Sequence, residues 1–263
     1  VSHELRNGIR REKMQEYWEA YMKPVDGRPA MISFNAGVSD SAPDMDYMFV
    51  SFVKVKLHNP KEDGLVNEEE ANDVGFIEDR LEMELLRWKS GKYIGRIISQ
   101  NEVNFIYYLK MDFEWQDTVE QAMSYFPNYE YEFGSRVDSD WDVYKKLLFP
   151  SVKEWQIITN HHACDGLKEQ DDNLRLPRAI EHKAYFKTTQ DRIAFFEAIK
   201  QNGFKEQKNM EVLFRDETYY GIQFYRIDTP FYYDIDALTM RLIDEIQSYH
   251  GEYDGWECSL VKV

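Results

Sequence analysis

Hydrophobic and polar positions along the chain alternate between a period near two and a period near 3.6, and the same order of periods occurs twice. Glu16 to Lys23 and Pro29 to Asn35 flank Asp26-Gly27, which predicts a β-hairpin across a tight turn. Tyr47 to Leu57, rich in β-branched and aromatic residues, predicts a further strand. Val74, Ile77, Leu81, Leu85 and Trp88 then recur at helical spacing. Asn67 stands as N-cap with Glu70 in the first turn, and Gly91 as the stop. Lys92 to Ser99 and Glu102 to Lys110 predict a second hairpin across Gln100-Asn101. Trp115, Val119, Ala122, Met123 and Phe126 mark a second helix, closed by Pro127. A strand over Tyr129 to Val137 and a short helix over Ser139 to Phe149 complete the first half.

The second half repeats the scheme after a connecting helix. Ser151 with Glu154 reads as a capping box, and the helix it opens runs to about Cys164. Asp165 to Leu176 is polar and reads as a linker. Ala179 to Lys187 is a strand with Ile180, His182, Ala184 and Phe186 on one face. Thr189 caps a helix carrying Ile193, Phe196 and Ile199, which Gly203 stops. A hairpin follows, Phe204 to Met210, with an extension to Phe214 left open, pairing with Tyr219 to Asp228. Next comes a helix bearing Ile235, Leu238, Leu242, Ile246 and Tyr249, with Asp234 before it and Gly251 after it. Asp254-Gly255 is placed in a turn that launches a closing strand over Trp256 to Val263, beside the strand of His182 and Phe186.

Without the first hairpin, both halves read β-α-β-β-α-β. The predicted fold class is therefore α+β: two ferredoxin-like modules with antiparallel sheets, joined by a helix. The extra N-terminal hairpin either extends the first sheet or covers it. The predicted domains are residues 12–150, a connecting helix and linker over 151–170, and residues 171–263.

Charge narrows the function classes. The net charge is −16, from 48 acids against 32 bases. Affinity for nucleic acid comes mainly from Lys and Arg on phosphates, so direct nucleic-acid binding is not expected. The same balance disfavours an anionic membrane surface, and a charge-mediated partner should be basic. The longest uncharged run, Pro29 to Ser39, has eleven residues, too few to span a membrane. Val1 to Arg11 has no apolar signal-peptide core, and the two cysteines, Cys164 and Cys258, form no disulfide framework. A cytoplasmic location is expected.

Candidate chemistry is sparse. His161, His162 and Cys164 carry metal-ligating groups, but adjacent histidines on a helix diverge by about 100° and no second Cys/His pair has ligand spacing. His182 sits on the apolar face of its strand and reads as a hydrogen-bonded core residue. The acidic run Glu62 to Glu84, ten carboxylates and one base, reads as a solvated helix face. No nucleophile-elbow, phosphate-loop, dinucleotide or H-E-x-x-H motif occurs. Phe105, Tyr107 and Tyr108, like Tyr220, Phe224 and Tyr225, lack the basic RNP1 context and read as sheet packing. No catalytic residue, metal or cofactor is assigned.

The C-terminal half carries Asp171-Asp172, Pro177-Arg178, His182, Tyr185-Phe186, Gly203-Phe204 and the ending Gly251-Glu252-Tyr253-Asp254-Gly255-Trp256. In these it resembles the regulator of ribonuclease E activity B family. The first half carries Trp18 and Tyr21 before Asp26-Gly27, Ile77-Glu78-Asp79, Tyr93-Ile94-Gly95-Arg96, and Asp140-Trp141 with Tyr144 before Pro150. In these it is similar to a bacterial domain of unknown function often fused to that family. The resemblance implies a non-enzymatic regulator that binds the Arg-rich scaffold region of a ribonuclease E-like enzyme. Arg178, Tyr253, Asp254 and Trp256 are the candidate partner-binding residues. Trp256 is expected to anchor the core and Tyr253 to sit on a wet rim. The alternative is an enzyme or metal-binding protein with a site in the cleft between the two modules.

Overall fold

The computed structural model describes residues 17–88 and 91–262, which divide into two compact units on either side of residue 151. The N-terminal unit holds β1 (Trp18–Val25), β2 (Arg28–Asn35), β3 (Phe49–Lys56), helix α1 (Ala71–Trp88), β4 (Gly91–Ser99), β5 (Glu102–Leu109), helix α2 (Trp115–Met123) and β6 (Tyr131–Val137). Its six strands lie in the order β1-β2-β4-β5-β3-β6, every pair antiparallel. The inner order β4-β5-β3-β6 is that of the ferredoxin-like sheet, and α1 and α2 pack on one face of it. The hairpin β1–β2 joins the β4 edge, so it extends the sheet rather than covering it.

Cover for the opposite face comes from the end of this unit. The short helix expected over Ser139 to Phe149 is a six-residue π-helical turn, Val143–Leu148. Trp141, wholly buried with φ 57°, stacks on Tyr108 at 4.1 Å and donates its Nε1–H to the Tyr47 carbonyl at 2.8 Å. Tyr21 and Lys23 on the same face of β1 donate to the carbonyls of Leu148 and Leu147. One side of this sheet is thus sealed by helices and the other by an aromatic-rich tail segment.

The acidic run is less solvated than its composition implies. Glu70 is buried and accepts the backbone N–H groups of His58 (2.7 Å) and Asn59 (3.0 Å). Glu84, 3% exposed, takes Arg80 and Arg87, each at 2.7 Å. Glu78 accepts from Tyr93 and Arg96. A helical wheel cannot distinguish a solvated carboxylate from one that meets donors on a neighbouring element.

The C-terminal unit holds α3 (Val152–Lys168), β7 (Arg178–Phe186), α4 (Thr189–Ile199), β8 (Lys205–Phe214), β9 (Glu217–Asp228), α5 (Tyr232–Ser248) and β10 (Gly251–Cys258). Its strand order, β10-β7-β9-β8, is ferredoxin-like, with α4 over β7 and β9 and α5 against β10. Several boundaries move. Helix α3 continues four residues past Cys164, so part of the expected linker is helical. Thr188, not Thr189, caps α4, its hydroxyl accepting the Asp191 N–H. Asp234 lies in the first turn of α5 rather than before it.

The closing strand starts five residues earlier than expected. His250, with φ 57°, makes the left-handed step that ends α5, and Gly251 already pairs with Phe186. A Cβ at Gly251 would meet the Phe186 ring at 2.4 Å, which explains glycine there. Asp254-Gly255 makes no launching turn; the pairing shifts between Tyr253 and Gly255, a β-bulge with Gly255 at φ 118°.

Candidate functional site

Because side chains alternate along a strand, burying Ile180, His182, Ala184 and Phe186 under the helices turns Glu181 and Lys183 to the opposite face of the C-terminal sheet. Register does the rest. Gln223 of β9 stands opposite Lys183, and Glu257 of β10 opposite Glu181. These residues line a recess with Asp254 and Gly255 of the bulge and with His182 and Trp256, whose rings turn to the helix side. The Gln223 amide donates to Glu181 at 3.0 Å and to Glu257 at 3.4 Å. Three carboxylates thus face one ammonium, an arrangement suited to a guanidinium or ammonium from outside.

Behind the recess lies a buried polar framework. His182, 1% exposed, rests among Phe204, Phe224 and Tyr253, with Nδ1 at 2.8 Å from the Tyr253 hydroxyl. Its Nε2 has no partner, and burial, with the Arg226 charge adding to it, pushes its pKa down to about 3. The imidazole is neutral, and placing the proton on Nδ1 as donor to Tyr253 avoids an orphaned N–H. Tyr253 is therefore half-buried and bonded inward, not on a wet rim.

Arg178 is also turned inward. Its guanidinium donates to Asp172 (2.6 Å) and to the carbonyls of Asn173 (2.6 Å), Ser259 (3.0 Å) and Leu176 (3.2 Å). Asp172 accepts in addition the Val261 N–H at 2.6 Å. This clamp fastens the tail beyond β10 to the loop before β7. The Arg178 bond and charge hold the Asp172 carboxyl below its usual range despite burial. Of the four candidate partner residues, Asp254 and Trp256 line the recess, Tyr253 bonds the His182 ring behind it, and Arg178 holds the tail.

Residues 16–149 match the model of a family described as "Family of unknown function (DUF695)". The chain belongs to that family. Residues 157–258 match the model described as "Regulator of ribonuclease activity B", and the recess lies within that segment. No curated protein matches the chain significantly. Among solved structures, one of an unknown protein from Galdieria sulphuraria is 11% identical, with 80% of this chain and 97% of that one covered and a TM-score of 0.23. Another, described provisionally as a glycine cleavage system transcriptional repressor, is 8% identical, with 82% and 98% covered and a TM-score of 0.22. Scores this low carry no argument about either fold or function.

The other candidate chemistry disperses. His161 Nε2 lies 2.9 Å from Asp236, whereas the Cys164 thiol is buried and donates to the Pro230 carbonyl at 3.2 Å. Burial chiefly pushes that thiol up to about 12. Among the described residues no group of three or more His, Cys, Asp and Glu side chains is placed to hold a metal ion. Phe105, Tyr107, Tyr108 and Phe224 are fully buried, as sheet packing requires. No helix among the described residues is long and apolar enough to cross a membrane. Sequence reasoning missed Glu181, Gln223 and Glu257. Alternation could have assigned them to the outer face, but only cross-strand register brings them together.

Proposed function

We propose that this protein regulates a ribonuclease without catalysis of its own, by holding a basic, Arg-rich segment of a ribonuclease E-like enzyme on the outer face of its C-terminal sheet. The observation that carries this reading is the recess of Glu181, Asp254 and Glu257, with the Gln223 amide joining two of the carboxylates. It lies within the segment that matches the ribonuclease-regulator model. An inserted guanidinium gains charge-assisted bonds to fixed carboxylates, and the surplus of acids in the whole chain steers a basic segment toward it. The acidity that suits such a segment disfavours direct contact with RNA, and a cytoplasmic site of action accords with two free cysteines.

The test is anisotropy titration of a labelled Arg-rich scaffold peptide from a ribonuclease E-type enzyme. Saturable binding is expected, weakening as salt rises and falling about tenfold in the Glu181→Gln, Glu257→Gln double variant. A double variant that binds as the parent does sinks the proposed site.

A further inference from the structure

The chain has two cysteines, far apart in sequence, and the C-terminal unit carries both to one interface. Two contacts bracket that interface. Trp256 of β10 is bonded to Asn160 of α3 at 2.8 Å. Beyond the ends of both elements, the Asn173 N–H donates to the Val261 carbonyl at 3.0 Å and the Val261 N–H to Asp172 at 2.6 Å. Between these contacts α3 and β10 run side by side in the same direction.

Each cysteine lies inside the bracket and on its inner side. Cys164 is one helical turn beyond Asn160 on the same stripe of α3, and both are wholly buried. Cys258 is two residues beyond Trp256 on β10. Register sets Trp256 opposite His182 and Cys258 opposite Ile180, both on the helix side of the sheet. Cys164 belongs to the core of this unit, and Cys258 is packed against that core. The two thiols also feel each other: after burial and the Asp236 and Asp165 charges, Cys258 adds to the rise of the Cys164 pKa.

The two differ in access. The enclosed Cys164 thiol donates to the Pro230 carbonyl at 3.2 Å. Cys258 is only partly buried and stands beside Arg178. Burial raises its pKa while the Arg178 charge lowers it, so the guanidinium favours the thiolate that an oxidant meets.

We infer that Cys164 and Cys258 form an oxidisable pair, which hydrogen peroxide converts to an intramolecular disulfide tying α3 to the end of β10. In the first step the Cys258 thiolate attacks one peroxide oxygen and the O–O bond breaks. A sulfenic acid forms, and the other oxygen leaves with the thiol's proton as water. In the second step the Cys164 sulfur attacks the sulfenic sulfur, the S–O bond breaks, and the hydroxyl departs with the Cys164 proton as water. Two thiols thus give up two electrons and one peroxide takes them. Burial keeps both thiols protonated at neutral pH, so the reaction is slow there and quickens as pH rises. In a reducing compartment such a bond is transient, which suits a response to oxidation rather than a permanent staple. The pair lies on the helix side of the sheet, and its oxidation is independent of the ribonuclease reading.

The whole chain is treated with hydrogen peroxide at mildly alkaline pH, quenched by alkylation, and read by intact mass and non-reducing peptide mapping. The expected product is a monomer lighter by two hydrogens, with no alkylated thiol and with Cys164 joined to Cys258. Its melting temperature should rise by about 5–10 °C and return to the parent value with dithiothreitol. Cys164→Ser should stop at a sulfenic acid on Cys258, trapped by dimedone, with no gain in melting temperature. Cys258→Ser changes the more exposed position and should leave Cys164 unoxidised; circular dichroism checks that both variants stay folded. A parent chain that stays fully reduced overturns the inference. So do disulfide-linked dimers, and so does sulfinic acid at Cys258 beside a free Cys164 thiol.

Discussion

The indole N–H of Trp256 on the closing strand donates to the side-chain oxygen of Asn160 on α3 at 2.8 Å, across 96 positions of sequence. Asn160 is wholly buried and fully occupied. It accepts from Gln156 as well as Trp256 and donates to Asp236 and Thr239 of α5, each bond 2.8 Å. One amide therefore ties two helices to the edge of the sheet, directly behind the recess. Replacing Trp256 with Phe keeps most of the ring packing and removes this bond. It should cost about 1–2 kcal/mol, read from denaturant unfolding, and leave affinity for a basic peptide within a factor of about two.

Tyr253→Phe removes the hydroxyl that meets His182 and leaves both imidazole nitrogens without partners. A loss of about 1–3 kcal/mol is expected, visible as a lowered melting temperature. This reverses the expectation from sequence, where a tyrosine on a wet rim would be thermally silent. A variant that melts with the parent would place the ring elsewhere.

Burial of His182 makes stability depend on pH. The group titrates near 6.5 when free and is pushed down to about 3 in the fold, so the unfolded chain binds the proton more readily between those values. This contribution is complete above about pH 6.5 and is lost as pH falls toward 3. At about 1.4 kcal/mol for each pKa unit it reaches several kcal/mol. Unfolding free energies of the parent and of His182→Gln, measured between pH 7 and pH 4.5, should converge as pH falls. Parallel curves would show that another group sets the acid limit.

Removal of Arg178 strands a buried carboxylate. Its side chain is 4% exposed and that of Asp172 is wholly buried, so Arg178→Ala should destabilise by about 3–5 kcal/mol. Arg178→Met combined with Asp172→Leu should recover much of that loss, because the isolated charge is gone. Limited proteolysis of either variant should release the tail after Cys258, which the clamp no longer holds. If Arg178→Ala unfolds like the parent, the clamp contributes little.

Much of this molecule follows from local pattern alone. Alternation placed His182 among core residues, and helical spacing found α1, α2 and α5, because burial of one face is a local property of a strand or helix. Asp26-Gly27 and Gln100-Asn101, all at positive φ, announce their hairpins, since a two-residue turn needs residues that tolerate that conformation. The order of elements then implied two ferredoxin-like sheets, and the strand orders bear that out. What needed tertiary structure was every relation between elements. Glu70 and Glu84 read as solvated acids until backbone and arginine donors reached them. Arg178 and Tyr253 read as surface residues until the tail and His182 closed on them. The carboxylates of the recess come from two strands and a bulge, and β1–β2 extends the first sheet only because β2 pairs with β4. Periodicity reports which side of an element is buried, whereas charge pairing, register and sheet width depend on residues far apart in sequence, and only the assembled fold sets those distances.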